Sequence, residues 1–275
     1  MNINHRDVEL SGGGLHYVEG GPRSQGRILL LHGGYGGWTH WVANLEPLCA
    51  HRHVLAVDMP GFGHSYDPGR CLEPAEHAEV IAELLDKIEI NDVTVVGFSF
   101  GSLVATTLAL ERPDLVGSLV LVNPPGVGAR SADALAIPAR VSAITRAHGR
   151  REGIAANLRE LMLCHWELID TALIDLVSDS VARTRYVTRG ISQQSQTLQL
   201  LGRVTQGVKV LIGERDPFHS NDLPGRVLAI DEVLGRGAAD IVPDAAHWLQ
   251  YDRPDRFNEV LLELTSVDIK MRSSG

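Results

Sequence analysis

Short runs dominated by apolar residues recur along the chain: Arg27 to Leu31, His53 to Asp58, Val93 to Val96, Leu115 to Val122, Val208 to Ile212 and Ala239 to Val242. Each has the length of a strand, and continuous rather than alternating apolar character predicts burial on both faces of a sheet. Between them the period changes to that of helices. Glu73 to Ile88 sets Val80, Ile81, Leu84, Leu85 and Ile88 on one face, and Phe100 to Leu110 is a second helix, closed by Glu111-Arg112-Pro113. Further helices are predicted around Leu228 to Leu234 and from Asp255 to about Leu264. Val8 to Glu19 alternates loosely about Ser11-Gly12-Gly13-Gly14, which reads as a β-hairpin at one edge of the sheet. Alternating strands and helices give parallel strands joined by right-handed crossovers, with the ligand site at their carboxyl ends. From Gly126 to Val204 the alternation stops, and helical spacings such as Leu158, Leu161, Met162 and Leu173, Leu176, Val177 replace it. The chain is therefore predicted to be an α/β protein with residues 1–125 and 205–275 forming the core. Residues 126–204 form a helical cap inserted after the sixth strand, over the ligand end of the sheet.

Composition narrows the ligand. With 275 residues, 44% of them hydrophobic, the chain can bury one large core. A net charge of -9 opposes nucleic acid or an anionic membrane as a partner and favours a small molecule. The stretch Met1 to Arg6 lacks the apolar segment of a signal peptide, and no apolar run reaches the length of a membrane span, so a soluble cytoplasmic protein is expected, with a homodimer allowed for. Cys49, Cys71 and Cys164 are far apart and read as reduced thiols. Twelve histidines are scattered without metal-ligand spacing, and neither a metal nor a cofactor is expected.

One stretch carries chemistry. Val93 to Ser102, V-T-V-V-G-F-S-F-G-S, runs from a strand through Gly97-Phe98-Ser99-Phe100-Gly101 into a helix. The glycines permit a tight turn that holds the Ser99 hydroxyl at the strand end, near the positive end of the helix. A serine needs a histidine to take its proton and a carboxylate to orient that histidine. Asp216 follows the strand Val208 to Ile212, and His247 follows Ala239 to Val242, so both fall in loops at the same end of the sheet; Glu214 is the main rival acid. Acyl transfer also builds charge on an oxygen, which two backbone amides can hold. The Phe100 amide is one candidate, and the loop His32-Gly33-Gly34-Tyr35 supplies the other, from Gly34 or Tyr35. His32 itself is read as structural. Tyr35, Phe98 and Trp248 are candidates to line an apolar substrate pocket, and Arg183, Arg185 and Arg189 are read as solvated helix charges that could also clamp a carboxylate.

With Ser99, Asp216 and His247 in this order, the His32-Gly33-Gly34 loop and a helical insertion after Asn123, the chain resembles the α/β-hydrolase fold over nearly its whole length. Within that superfamily it is most similar to the meta-cleavage product hydrolases, which cut a carbon–carbon bond in ring-fission products. The matching segments are Asp58 to Ser65, Leu173-Ile174 with its flanks, and His247-Trp248-Leu249-Gln250-Tyr251. That family has asparagine before the nucleophile and Met-Gly-Gly after it, where this chain has Phe98 and Phe100-Gly101-Ser102. Its cap arginine aligns with Val177. The resemblance thus implies a cofactor-free serine hydrolase, with an ester as the first expectation for the bond cleaved and carbon–carbon cleavage as the second. A non-hydrolytic small-molecule receptor on the same fold is the alternative of another class.

Overall fold

The apolar runs assemble as one eight-stranded sheet in the computed structural model, which describes residues 3–194 and 197–272. The strands are β1 (Asn4–Leu10), β2 (Gly13–Gly20), β3 (Arg27–Leu31), β4 (His53–Val57), β5 (Val93–Phe98), β6 (Val116–Val122), β7 (Gly207–Gly213) and β8 (Ala239–Val242). Their order is β1-β2-β4-β3-β5-β6-β7-β8; β2 pairs antiparallel with β1 and β4, and every other pair is parallel. Helices α1 (Val42–Cys49), α2 (Pro74–Lys87) and α3 (Phe100–Glu111) follow β3, β4 and β5. Between β6 and β7 lie α4 (Ala132–His148), α5 (Arg150–Asn157), α6 (Thr171–Ala182), α7 (Arg189–Gln194) and α8 (Thr197–Leu201). Helix α9 (Leu223–Leu234) precedes β8, and α10 (Leu249–Asp252) and α11 (Pro254–Arg272) follow it. None of the described helices is long and apolar enough to cross a membrane.

Successive strand residues face opposite sides, and both sides are covered, which is why the strands read as unbroken apolar runs. Leu29, Leu31, Val95, Leu121 and Ile212 pack with Ile81, Leu85, Leu103, Leu108 and Ile230 of α2, α3 and α9. Ile28, Leu30, Val96, Val122 and Leu211 pack with Leu45, Leu48, Leu249, Phe257 and Leu261 of α1, α10 and α11. Ile154, Leu158, Leu163 and Leu173, from the segment inserted after β6, join this second cluster.

Four elements depart from the hydropathy pattern; one is helix α11, which runs to Arg272, past its predicted end near Leu264. Strand β1 starts at Asn4 rather than near Val8, because its first four residues are exposed on the sheet edge and carry no apolar signal. Helix α1 is short and contains Pro47, which hides it from a search for helical periodicity. Helix α9 begins at Leu223, five residues before the predicted Leu228, where the Asp222 carboxylate accepts the Gly225 amide at 3.1 Å and Pro224 occupies the first turn.

The strand order reverses between β3 and β5. From β3 the chain steps to β4 on one side, and β5 returns to the other, so the loops leaving β3 and β5 diverge from adjacent strands and leave a crevice between them. Close approach there needs small residues. A Cβ on Gly101 would lie 2.3 Å from the carbonyl oxygen of Leu31, and one on Gly97 would lie 2.5 Å from the carbonyl of Gly101. Since neither neighbour is a movable side chain end, Gly101→Val is expected to cost about 3 kcal/mol or to prevent folding, as read by denaturant unfolding against wild type.

Candidate active site

Ser99 stands between β5 and α3 with φ 51° and ψ −116°, a left-handed conformation that a non-glycine residue adopts only under constraint. Its amide donates to the Val122 carbonyl at 2.9 Å, continuing the β5–β6 ladder, and its carbonyl accepts from the Ser102 amide at 2.9 Å in the first turn of α3. The side chain is thereby lifted out of the sheet. His247 Nε2 lies 3.0 Å from Ser99 Oγ, and His247 Nδ1 lies 2.8 Å from Asp216 Oδ2. The three residues chosen from the sequence thus form one continuous hydrogen-bonded chain. Glu214, the rival acid, instead accepts the Asp244 amide at 3.1 Å on the exposed side of the loop.

Asp216 is wholly buried and also accepts the Phe218 amide at 2.9 Å. Burial by itself would push its carboxyl up, but neighbouring His247, its hydrogen bond and the Phe218 amide outweigh this and hold the group below the usual carboxylate range. The Asp216 carboxylate accepts only, so it orients the His247 ring with Nδ1 toward itself and Nε2 toward Ser99. A second imidazole, His219, puts Nε2 3.7 Å from the same Asp216 oxygen. Desolvation drives His219 down to about 4, against the opposing pull of Asp216, so it is neutral at neutral pH.

Backbone and side-chain links fix the loops that carry these groups. The Asn123 carboxamide, at φ 46° just beyond β6, donates to the carbonyls of Ala246 (3.1 Å) and His247 (2.8 Å) and accepts the Gly213 amide at 2.8 Å. The loop after β3 is held by His32, whose Nδ1 donates to the Gly33 carbonyl at 2.7 Å and whose Nε2 accepts the Met59 amide at 3.1 Å. His32 is wholly buried, and both of its ring nitrogens are taken by backbone groups. The Gly33 amide donates to His40 Nδ1 at 3.2 Å, whereas among the described residues the amides of Gly34 and Phe100 meet no acceptor. A Cβ on Gly34 would lie 2.5 Å from Thr188 Oγ1, so the Thr188 hydroxyl sits directly over that loop.

Ser99 and His247 open onto a small cleft whose walls include Asn123, Arg130, Phe218 and His219, with free space of about 10 Å³, room for one water molecule. The Arg130 guanidinium lies 4.4 Å over the Phe218 ring. Phe98 and Trp248, expected along the pocket, are each 1% exposed and serve the packing beneath it: Phe98 contacts the rings of His247 and His40, and Trp248 donates Nε1 to the His40 carbonyl at 2.8 Å. Tyr35 is half-buried in the loop after β3, at φ 62°, outside the cleft wall. Arg183 pairs with Asp179, and Arg185 reaches the Ser65 carbonyl at 3.2 Å, so neither points at the serine; the Arg189 side chain lies outside the described residues. Asn123, Arg130, Phe218 and His219 escaped the sequence reading. The only signal for His219 was its place three residues after Asp216.

His219 gives a pH-dependent stability. Its folded-state value of about 4 lies below the ordinary imidazole value, so the unfolded chain binds the proton first. Its contribution is complete above about pH 6.5 and falls as pH drops toward 4. His219→Asn is expected to reduce the slope of unfolding free energy against pH in that window by up to about 1.4 kcal/mol per unit, measured by urea melts from pH 7 to 4.

Residues 28–260 match the family model described as Alpha/beta hydrolase family. The curated 2-hydroxy-6-oxononadienedioate/2-hydroxy-6-oxononatrienedioate hydrolase 1 of Dechloromonas aromatica (strain RCB) is 28% identical, over 96% of this chain and 93% of its own. Among solved structures, a thermophilic esterase from Thermogutta terrifontis superposes with a TM-score of 0.74 at 20% identity, covering 96% of this chain and 99% of that one. A carboxylesterase from Bacillus subtilis superposes with a TM-score of 0.76 at 19% identity, covering 95% and 91%. The match across most of the length, on a sheet whose strand ends bring Ser99, His247 and Asp216 together, makes this chain an enzyme of the alpha/beta hydrolase family.

Proposed function

We propose that the chain is a serine hydrolase that cleaves an ester of a small organic substrate without a cofactor. The observation carrying this reading is the chain of contacts from Ser99 Oγ through His247 to Asp216, at 3.0 and 2.8 Å. In the reaction, Ser99 Oγ attacks the ester carbonyl as His247 Nε2 takes its proton, and the buried Asp216 carboxylate stabilises the imidazolium that results. The tetrahedral oxyanion is held by the amides of Gly34 and Phe100, whose lack of acceptors among the described residues supports the assignment. His247 then protonates the departing alcohol. Water, activated by the same imidazole, releases the acid from the acyl-enzyme and restores the Ser99 proton.

The second reading is carbon–carbon cleavage of a ring-fission dienol carboxylate. The names of curated relatives favour it, including the Dechloromonas aromatica hydrolase, as does Arg130, which places a cation in the cleft wall beside Ser99. Against it stands Val177, which is packed with the apolar cluster where the resemblance calls for an arginine.

Residues 126–204 act in this reading as a cap over the site. Its π-helical turn Leu158–Met162 accepts the amides of His247 and Trp248 at 3.2 and 2.8 Å through the carbonyls of Leu161 and Met162. On the far side, the Arg185 amide donates to the Gly61 carbonyl at 3.0 Å, Tyr186 donates its hydroxyl to Asp67, and Thr39 and Ser180 hydroxyls meet at 2.8 Å. With room for only one water beside Ser99, an ester enters by displacement of this segment.

Turnover of p-nitrophenyl acetate, butyrate and octanoate, alongside a ring-fission dienoate, tests the reading. Ser99→Ala is expected to lower ester turnover by about a thousandfold or more, with an unchanged melting profile, and Asp216→Asn by a similar factor. Dienoate turnover that exceeds ester turnover would give precedence to the second reading, and no turnover of any substrate by folded wild type would reject both. Tyr186→Phe, which removes one tie between the cap and the core, is expected to raise kcat/KM for octanoate about two- to fivefold while leaving acetate nearly unchanged, as measured by initial rates.

A further inference from the structure

The sequence scatters its histidines, but the hairpin and the loop after β4 gather three of them outside the cleft. In the β1–β2 register His5 lies opposite Val18 and His16 opposite Asp7, so the two histidines are diagonal neighbours on one face. His5 Nδ1 lies 3.1 Å from His16 Nε2, and the His64 ring stands 5.0 Å from that of His16, centroid to centroid. Beneath them is Asp58. Its carboxylate is 1% exposed and accepts the Trp38 amide at 2.7 Å, the His64 amide at 3.0 Å and His16 Nδ1 at 2.9 Å.

These contacts fix the orientation of the His16 ring. Its Nδ1 faces the Asp58 carboxylate at 2.9 Å, so Nε2 points outward, toward His5. A buried carboxylate that orients an imidazole through its far nitrogen is the arrangement that prepares a histidine as a metal ligand. The separation also fits: two nitrogens 2.0–2.1 Å from one tetrahedral ion are about 3.3 Å apart, close to the spacing of His5 and His16. His64 Nδ1 rests 3.6 Å from Asp58 Oδ2, with a side chain 47% exposed that is free to turn toward the His5–His16 pair, and His5 is exposed, which leaves the site open to solvent.

We propose that His5 and His16, joined by His64, bind a divalent transition-metal ion of the zinc, nickel and copper class, with Asp58 orienting the His16 ring. Imidazole donors select these ions over magnesium or calcium, which need oxygen ligands. Asp58 also fixes the amide of Trp38, which opens the 3-10 turn Trp38–Trp41 after the loop that follows β3, so a bound ion would tie the edge hairpin to the end of that loop.

Copper(II) alone is the probe. Trp38 lies 5.4 Å from His5, ring to ring, and reports on the ion through fluorescence quenching. Titration of the full chain with Cu²⁺ is expected to give one equivalent bound at micromolar concentration, an electron paramagnetic resonance spectrum with nitrogen ligands, and quenching that Trp38→Phe largely removes. His5→Ala and, separately, His64→Ala are expected to weaken binding at least tenfold and threefold, and Zn²⁺ is expected to compete. Both positions are exposed enough for the variants to fold, and His5→Gln provides a second check with a side chain of similar length. Binding that is unchanged in both His5 variants, or quenching that is independent of Trp38, would overturn the proposal.

Discussion

A single buried carboxamide sets the geometry at the carboxyl ends of three strands. Asn123 sits just past β6, spends a left-handed conformation on the turn, and uses both ends of its side chain: the amide nitrogen on the carbonyls of Ala246 and His247, the oxygen on the Gly213 amide. Because Ser99 is itself tied to the Val122 carbonyl, the same residue neighbourhood fixes the serine, the loop that bears Asp216 and the loop that bears His247. Loops cannot satisfy their own backbone groups as a sheet does, so a fully used amide at their meeting point is worth more than its bond count. Loss of one partner would leave several buried groups unsatisfied at once.

Buried aspartates do similar service around the site. Asp58 accepts the amides of Trp38 and His64, Asp216 accepts the amide of Phe218, and Asp252 accepts those of Ala246, Cys164 and His165 at 2.8, 3.0 and 3.1 Å. Each carboxylate gathers donors from an irregular segment that has no ladder to join. Such charge-assisted bonds offset the desolvation of the carboxylate and make the loop geometry specific. Asp252 links the loop of His247 to the segment after the π-helical turn inserted between β6 and β7, and the carbonyls of that turn also receive the His247 and Trp248 amides. The position of His247 is therefore tied directly to the position of the inserted segment.

The sequence made part of this legible for a definite reason. Ser99, Asp216 and His247 each follow an apolar run by a few residues, and parallel strands carry all such positions to one end of the sheet, so chain order and hydropathy together were enough to bring them within a common site. Phe98 and Trp248 were also visible as aromatics beside that site, but periodicity does not say whether a side chain packs below a loop or faces the cleft above it; both pack below. Arg130 carried no pattern, and His219 only its place three residues after Asp216. Their place is set by where the chain goes after β6 and β7, through turns whose directions depend on Asn123 and on the Asp216 carbonyl, which accepts the amides of His219 and Ser220 at 2.9 and 2.8 Å. The first four residues of the edge strand β1 were likewise hidden, since exposed polar residues give no hydrophobic alternation to read.

The protonation states around Ser99 follow from the same burial. His32, His40 and His219 lie in the packed region around the site, and in each case desolvation lowers the imidazole below its ordinary value, which leaves it uncharged at neutral pH. Neutral rings act as hydrogen-bond partners for backbone: His32 and His40 accept the amides of Met59 and Gly33. Their neutrality also keeps positive charge away from His247, which in the proposed mechanism must itself become cationic. Asp216 stands apart as the ionised group next to that ring, so the imidazolium meets its counter-charge at 2.8 Å without rearrangement of the surroundings. Catalysis by such a site rests on dipoles and charges already in place before substrate arrives, and the burial that holds the loops is what holds those charges apart.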